Sequence, residues 1–288
     1  MNRYALFLLI TCNFLWATNN IIGRLLSKYM DPFSITVFRW TLAALFYPLI
    51  FGFNVIPKAF KYIKLKTVIL GLTGFMAFNF TLYWALSMTI ASLVGFAYGF
   101  TPIIIITLSL TIESFKPTKL QTTGSLLSVL GVSLLFYSRG LRIGNLADIL
   151  GLTGGITAGI LWALYTVLQN KFYPNSDRTA LTYSSLILSI PFMLIFAYPQ
   201  YLNLNILSTK PEIILALLWI AIAPGVIAYY MWNKAISIVG SNTAAPYSNL
   251  LPLFVALLGY TLLKEPLTPG DIIGGILIIT GSTITMIK

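Results

Sequence analysis

Arg39 stands inside a long apolar run, residues 33–53. It falls about six residues into that run, or roughly 9 Å along a helix at 1.5 Å per residue. An ionised side chain at the centre of a lipid-embedded helix costs on the order of 2.5–3.5 kcal/mol, and less near the interface. The guanidinium is therefore expected to face the protein interior or a wet cavity, where it can act as counter-charge to a carboxylate or phosphate. The alternative is that it snorkels to the headgroups and helps to set topology.

Amides and aromatics recur beside it at helical spacing. Asn13, Trp16 and Asn20 lie at i, i+3 and i+7, on one face of a helix. Amides facing lipid would be unsatisfied, so this stripe should point inward. Trp162, Tyr165 and Gln169 form a similar face. Asn79 and Tyr83 lie at i, i+4, and an offset of 150 carries them to Tyr229 and Asn233 with the residue types in swapped order. A ring that stacks and an amide that orients are what a small-molecule site needs. Interhelical hydrogen bonding and packing account for the same residues without a site. Pro102 follows Tyr98 by one turn, and Pro252 follows Tyr247 and Asn249. Each proline is expected to kink its helix and free a backbone carbonyl, as a gate or as a fixed bend.

Other chemistry is missing. There is no histidine, and the one cysteine, Cys12, lies in an apolar run. The chain has no P-loop, no HExxH and no clustered Cys/His set, so no cofactor, metal or nucleotide site is expected. A serine nucleophile would lack its histidine base. Glu113 and Glu265 sit at helix ends beside Lys116 and Lys264, as interface anchors or loop caps. With no carboxylate deep in a span, a proton relay is hard to build, and uniport or exchange is expected.

These residues need elements to hold them. Of 288 residues, 58% are hydrophobic and 9% charged, against roughly 25% charged in soluble domains. Such a chain cannot cover a water-facing surface, so bilayer is its solvent. Ten apolar runs are predicted as helices over residues 4–26, 33–53, 67–87, 91–112, 122–137, 149–168, 181–198, 213–233, 243–263 and from 272. At roughly 20 residues per crossing, they leave short loops and no soluble catalytic domain. The net charge of +11 is read as membrane orientation and not as nucleic-acid binding. With the N-terminus inside, Arg3, Lys58, Lys61, Lys64, Lys66, Lys116, Lys119, Lys171, Arg178, Lys234 and Lys288 fall on the inner side. Arg24, Lys28, Arg139, Arg142, Lys210 and Lys264 fall outside. That excess places both termini in the cytoplasm.

The halves, 1–140 and 141–288, resemble each other. Leu15-Trp16-Ala17 recurs as Leu161-Trp162-Ala163, and the run from Ala85 to Pro102 matches that from Ala235 to Pro252 without a gap. Glu113 before Pro117 parallels Glu265 before Pro266, and Gly124 and Gly131 parallel Gly274 and Gly281. Five helices per half, an odd number, set the halves in opposite orientation, as in the inverted repeats of secondary transporters. Gly151, Gly155 and Gly159 form a small-residue stripe, expected to serve packing within a monomer, with a weak homodimer as the other use.

The ordered pattern resembles the drug/metabolite transporter superfamily, and its EamA-type members in particular. It runs from Trp16 through Asp31-Pro32 and Arg39, Pro102 and Glu113 to Gly124 and Gly131. It then repeats from Trp162 to Lys264-Glu265-Pro266-Leu267 and Gly281. The resemblance implies ten helices in two inverted repeats around a central cavity, with export of amino acids or other metabolites common. The second half departs from the first in having Ser185 nearest the place of Arg39.

The expectation is an all-α membrane protein of the plasma membrane that moves a small-molecule substrate by alternating access, in the efflux direction. Trp16, Tyr83, Tyr98, Trp162, Tyr165, Tyr229 and Tyr247 would give stacking walls. Asn13, Asn20, Asn79 and Asn233 would orient polar groups, and Arg39 would favour a negative end. A membrane-embedded enzyme, a lipid-handling protein and a channel are the competing classes.

Overall fold

A computed structural model describes residues 2–138, 140, 143–196, 211–263 and 267–287. Arg139, Arg142, Lys210, Lys264, Glu265, Pro266, Lys288 and the end of the expected seventh helix lie outside the described residues. Among those described, the secondary structure is helical, without strands. Eight helices are long and apolar enough to cross a membrane. They are α1 (Arg3–Leu26), α2 (Pro32–Phe51), α3 (Leu65–Met88), α4 (Leu93–Glu113), α5 (Lys119–Ser138), α6 (Leu146–Phe172), α7 (Arg178–Phe196) and α8 (Pro211–Val239). Two shorter helices follow, α9 (Leu250–Leu263) and α10 (Pro269–Ile284).

Local chemistry sets the ends. Asp31 caps α2, its Oδ1 accepting from the Phe33 and Ser34 amides at 2.9 and 3.0 Å, with Pro32 as the first helical residue. Thr268 and Asp271 form a reciprocal capping box at α10. The ninth run, expected as one helix over 243–263, is broken. A four-residue helix, Ser241–Ala244, passes into a 3₁₀ turn, Ala245–Asn249, before α9 begins. Pro246 and Pro252 each lack an N–H for the α-helical ladder, which explains the break.

Several of the cations sorted by membrane side on sequence lie in helices, Arg24, Lys234 and Arg178 among them. Arg24 is in the last turn of α1 and donates to the Leu86 carbonyl. Lys234 is inside α8. Arg178 opens α7 and is buried.

The packing pattern maps onto itself when α1–α5 are exchanged with α6–α10. Helix α1 packs on α8 and α9 as α6 packs on α3 and α4, and α2 packs on α8 as α7 packs on α3. Helices α2 and α7 pair, and so do α5 and α10. The α5–α10 contact is backbone to backbone. A Cβ on Gly124 would lie 2.4 Å from the Gly281 carbonyl oxygen, and one on Gly131 2.5 Å from that of Gly274; the reverse distances are the same. Gly151, Gly155 and Gly159 of α6 face Thr89, Ala97 and Thr101 of the same chain. Apolar side chains such as Leu45, Leu49, Ile195 and Leu215, all more than 60% exposed, cover the outer surface, as a lipid-facing wall requires.

Candidate functional site

Helices α1, α2, α3, α4, α6, α8 and α9 converge on a central cavity. Its lining includes Trp16, Asn19, Asn20, Arg39, Phe78, Leu82, Tyr98, Trp162, Tyr229 and Leu251. Its volume is about 20 Å³, room for about one water. The rings meet at its centre. Trp16 and Trp162, equivalent in the two halves, stand edge to face with centroids 5.0 Å apart. Tyr229 lies 5.2 Å from Trp162 and 5.9 Å from Trp16.

Arg39 is 1% exposed and does not reach toward headgroups. Its Nη1 donates to Asn79 Oδ1 at 2.7 Å and to Tyr83 Oη at 2.9 Å, and its Cζ lies 4.6 Å from the Trp40 ring centroid. Among the described residues no carboxylate pairs with it, and its Nε–H has no acceptor. Tyr83 in turn donates to Asn19 Oδ1 at 2.9 Å. Asn20 lines the cavity with an amide that bonds to no described residue. A buried guanidinium with a free N–H, beside a free amide, is a ready receptor for a planar anion.

Two π-helical turns shape this floor, Leu72–Ala77 in α3 and Ile222–Ile227 in α8. Such turns misalign the i→i−4 ladder and free carbonyls. Gly74 O accepts from Tyr229 Oη at 2.8 Å, and Pro224 O accepts from Trp16 Nε1 at 3.1 Å. These carbonyls are 150 residues apart, and each is capped by a ring from the other half. Asn79 also donates to Tyr229 Oη at 3.2 Å, joining the network to Arg39.

A second polar network lies to one side of the cavity. Arg178 donates to Gln169 Oε1 at 3.0 Å and to Asn170 Oδ1 at 2.7 Å. Gln169 donates to Tyr165 Oη at 2.9 Å, as does Asn233, which also bonds Thr182 at 2.8 Å. The Asn233–Tyr165 pair repeats the Tyr83–Asn19 pair of the first half with the residue types exchanged.

The structure thus brings Trp16, Asn20, Arg39, Tyr98, Trp162 and Tyr229 to the cavity, with Asn79 and Tyr83 holding Arg39. Tyr165 and Asn233 stand in the second network. Asn13 is fully buried and turns its amide back to the Leu9 carbonyl at 2.7 Å, away from the lining. The i, i+3, i+7 stripe had placed it in the cavity, but the cavity ends one turn short of it. Tyr247 is buried in the 3₁₀ turn, its hydroxyl bonded to no described residue and outside the lining. Both prolines lie in the first turn of a helical segment, and within α4 the helical pattern is interrupted at residues 99–100, just before Pro102. Pro102 is the second residue of Thr101–Leu108, and the Tyr98 carbonyl it frees accepts from the Thr101 hydroxyl. Pro252 is the third residue of α9. Asn19, Phe78, Leu82 and Leu251 were not expected at the site. Asn19 was within reach, since the 146-residue offset that relates Trp16 to Trp162 carries it to Tyr165.

Known proteins resemble this chain in sequence and in fold. The model of the EamA-like transporter family matches twice, at residues 3–137 and 149–287. An uncharacterized transporter of Archaeoglobus fulgidus is 30% identical over all of this chain and 99% of its own length. A probable amino-acid metabolite efflux pump of Salmonella typhimurium is 25% identical over 98% of this chain and 94% of its own. A solved crystal structure, 18% identical, shares the fold with a TM-score of 0.77 over 99% of this chain and 97% of that one.

Proposed function

The chain belongs to the EamA-like transporter family, a multi-pass membrane protein, and from that premise we propose that it is a plasma-membrane carrier exporting small carboxylate-bearing metabolites, amino acids or their relatives. The observation that carries the substrate class is Arg39. A cation held in the middle of the protein with no carboxylate partner among the described residues is completed by an anion that arrives and leaves. The free Asn20 amide beside it orients a second polar group, and the tryptophan and tyrosine rings take the apolar remainder.

In this proposal the chain crosses the bilayer ten times, as five plus five helices in opposite orientation. Support comes from the exchange symmetry of the packing, the paired carbonyl caps at Gly74 and Pro224 and the doubled family match. The broken ninth run still offers 23 residues from Ser241 to Leu263, enough for a crossing. Such half-wound segments are tolerated at membrane depth where they are buried in protein, and residues 241–251 are buried. The lysines at 58, 61, 64 and 66 favour both termini in the cytoplasm. A cavity of about 20 Å³ admits no metabolite, so this is an occluded state, and transport requires the halves to rock apart on either side in turn.

The test is counterflow in proteoliposomes with a labelled panel of amino acids and organic anions. Wild type is expected to show saturable exchange. Arg39→Ala is expected to lose exchange of carboxylates by tenfold or more. Unsaturable flux with single-channel currents would mark a channel, and no exchange of any solute by folded protein would overturn the carrier proposal.

A further inference from the structure

A second cavity, of about 250 Å³, lies away from the central one, between the end of α4 and the segment that joins α8 to α9. Glu113, Gln121, Asn170, Ser241, Asn242 and Thr243 line it, with Phe115 and Val239 as its apolar wall. It shares Gln121, Val239 and Thr243 with a larger depression of about 630 Å³ lined also by Asn2 and Met286. It therefore opens at the end of the bundle where both chain termini lie.

Two features mark it as built for a ligand. The first is Asn242, which is 2% exposed with neither its amide oxygen nor its amide nitrogen bonded to any described residue. Buried amides are ordinarily satisfied, and this one borders an open space. The second is Glu113. Asp31 and Asp177 cap helices, and Asp148 and Asp271 accept from amides just before theirs, but Glu113 ends α4 and turns into the cavity wall. Ser109 and Ser241 both donate to its Oε2. Its Oε1 accepts from no described residue, and no described Lys or Arg forms a salt bridge with it, Lys116 included, Arg178 acting on its charge only at longer range. The backbone is bent to present both groups. Ser114, next to Glu113, is left-handed at φ 57°, and Gly240, two residues before Asn242, has φ 81°. A non-glycine residue in that region is uncommon and is held there by its surroundings.

We propose that this cavity is a loading site for a primary ammonium group, the cationic end of an amino acid or amine, held by Glu113 Oε1 and Asn242 Oδ1. An ammonium carries three donors and no acceptor, which suits a carboxylate and an amide oxygen side by side. The carboxylate of a zwitterion is met by Asn242 Nδ2 and by Asn170, whose oxygen is occupied by Arg178 and whose N–H groups are left as donors. A volume of about 250 Å³ admits a small amino acid but is below the usual range of drug-sized sites. The proposal rests on the carrier function above. The Glu113 site engages the ammonium at the terminus side, and Arg39 engages the carboxylate at the centre.

The test uses purified full-length protein in nanodiscs and labelled leucine, competed by 3-methylbutan-1-amine (leucine without its carboxylate) and by 4-methylpentanoate (leucine without its ammonium). Glu113→Gln is expected to weaken leucine and the amine by tenfold or more and leave 4-methylpentanoate unchanged, whereas Asn242→Ala, which removes a contact to each end, is expected to weaken all three. Arg39→Gln is expected to do the reverse of Glu113→Gln to the amine and the acid. Thermal melts of each variant check folding, and Glu113→Asp should recover part of the amine affinity. Amine binding unchanged in Glu113→Gln while Arg39→Gln loses the acid would overturn the loading site and leave the carrier standing. The loading site is likewise overturned if wild type exchanges other solutes but binds neither leucine nor the amine. If wild type exchanges nothing, the carrier falls first and the loading site with it.

Discussion

Removing the charge of Arg39 should abolish anion recognition while leaving the fold nearly as stable as before, and the magnitudes follow from its contacts. The guanidinium makes two charge-assisted hydrogen bonds, to Asn79 and Tyr83, and lies over Trp40. Each such bond contributes about 1.5–3 kcal/mol and the ring contact about 0.5–2 kcal/mol. Against them stands the desolvation of an ion that no described carboxylate pairs with, several kcal/mol even after relaxation. These terms nearly cancel, so Arg39→Met is expected to change unfolding free energy by less than about 3 kcal/mol. Ligand response separates the roles. A carboxylate present at a hundred times its Kd stabilises wild type by about 2.7 kcal/mol. A guanidinium making two charged hydrogen bonds to it supplies about 3–6 kcal/mol, a factor of roughly 10² to 10⁴ in affinity. Thermal melts in detergent, followed by tryptophan fluorescence, should therefore show a carboxylate-dependent shift in wild type and none in Arg39→Met. If Arg39→Met instead unfolds outright, or loses stabilisation by amines and acids equally, Arg39 is a structural pin and the counter-charge argument fails.

Two pairs of substitutions test the packing and the orientation. Gly281→Leu places a Cβ 2.4 Å from the Gly124 carbonyl oxygen, a backbone atom that cannot yield. It should destabilise by at least the 1–3 kcal/mol of an overpacked core, read as a lost monodisperse peak, whereas Gly144→Ala, whose nearest neighbour is 3.6 Å away, should be silent. In a Cys12→Ala background, Lys28→Cys should react with a membrane-impermeant maleimide in intact cells and Lys58→Cys only after lysis; the opposite pattern would invert the proposed orientation.

How much of this was legible in the sequence depends on which physical signal each part left. Long apolar runs betray helices because the bilayer demands them, and all eight spanning helices were visible as runs, although α8 continues from the expected end at 233 to Val239 and the expected end of the seventh lies outside the described residues. The α5–α10 contact was foreshadowed by glycines seven apart in each half, since only glycine lets two backbones touch. Arg39 was conspicuous because a charge in an apolar run is costly. The π turns of α3 and α8 left almost no trace, because an extra residue in a turn changes hydrogen bonding and not hydrophobicity. Yet those turns free the carbonyls of Gly74 and Pro224 and rotate the helical turns C-terminal to them. Asn13 was misplaced because a seven-residue face says which side of a helix is buried, not where along it a cavity begins.

The broken ninth run shows the same limit from the other side. Hydropathy reads residues 243–263 as one helix because Ala, Leu and Val are indifferent to a single missing turn. Pro246 and Pro252 carry the information, but proline alone does not distinguish a kinked helix from a restarted one. The structure chooses restarting, and the choice has a functional consequence. A restarted helix leaves the 240–249 segment as irregular, largely buried backbone, held by Gly240 at one end and by Asn249 donating to Ser128 at 3.0 Å at the other. Its Ser241 donates to Glu113 of the other half and Asn242 lines the same cavity, while Leu251, just beyond it, lines the central cavity. The stretch from Gly240 to Leu251 therefore touches both cavities, and a rocking of the halves that widens the gap between Ser241 and Glu113 must shift the wall at Leu251. A disulfide joining Ser241→Cys to Ser109→Cys in a Cys12→Ala chain would hold that gap shut. Alternating access through this segment then requires that exchange stop on oxidation and resume on reduction.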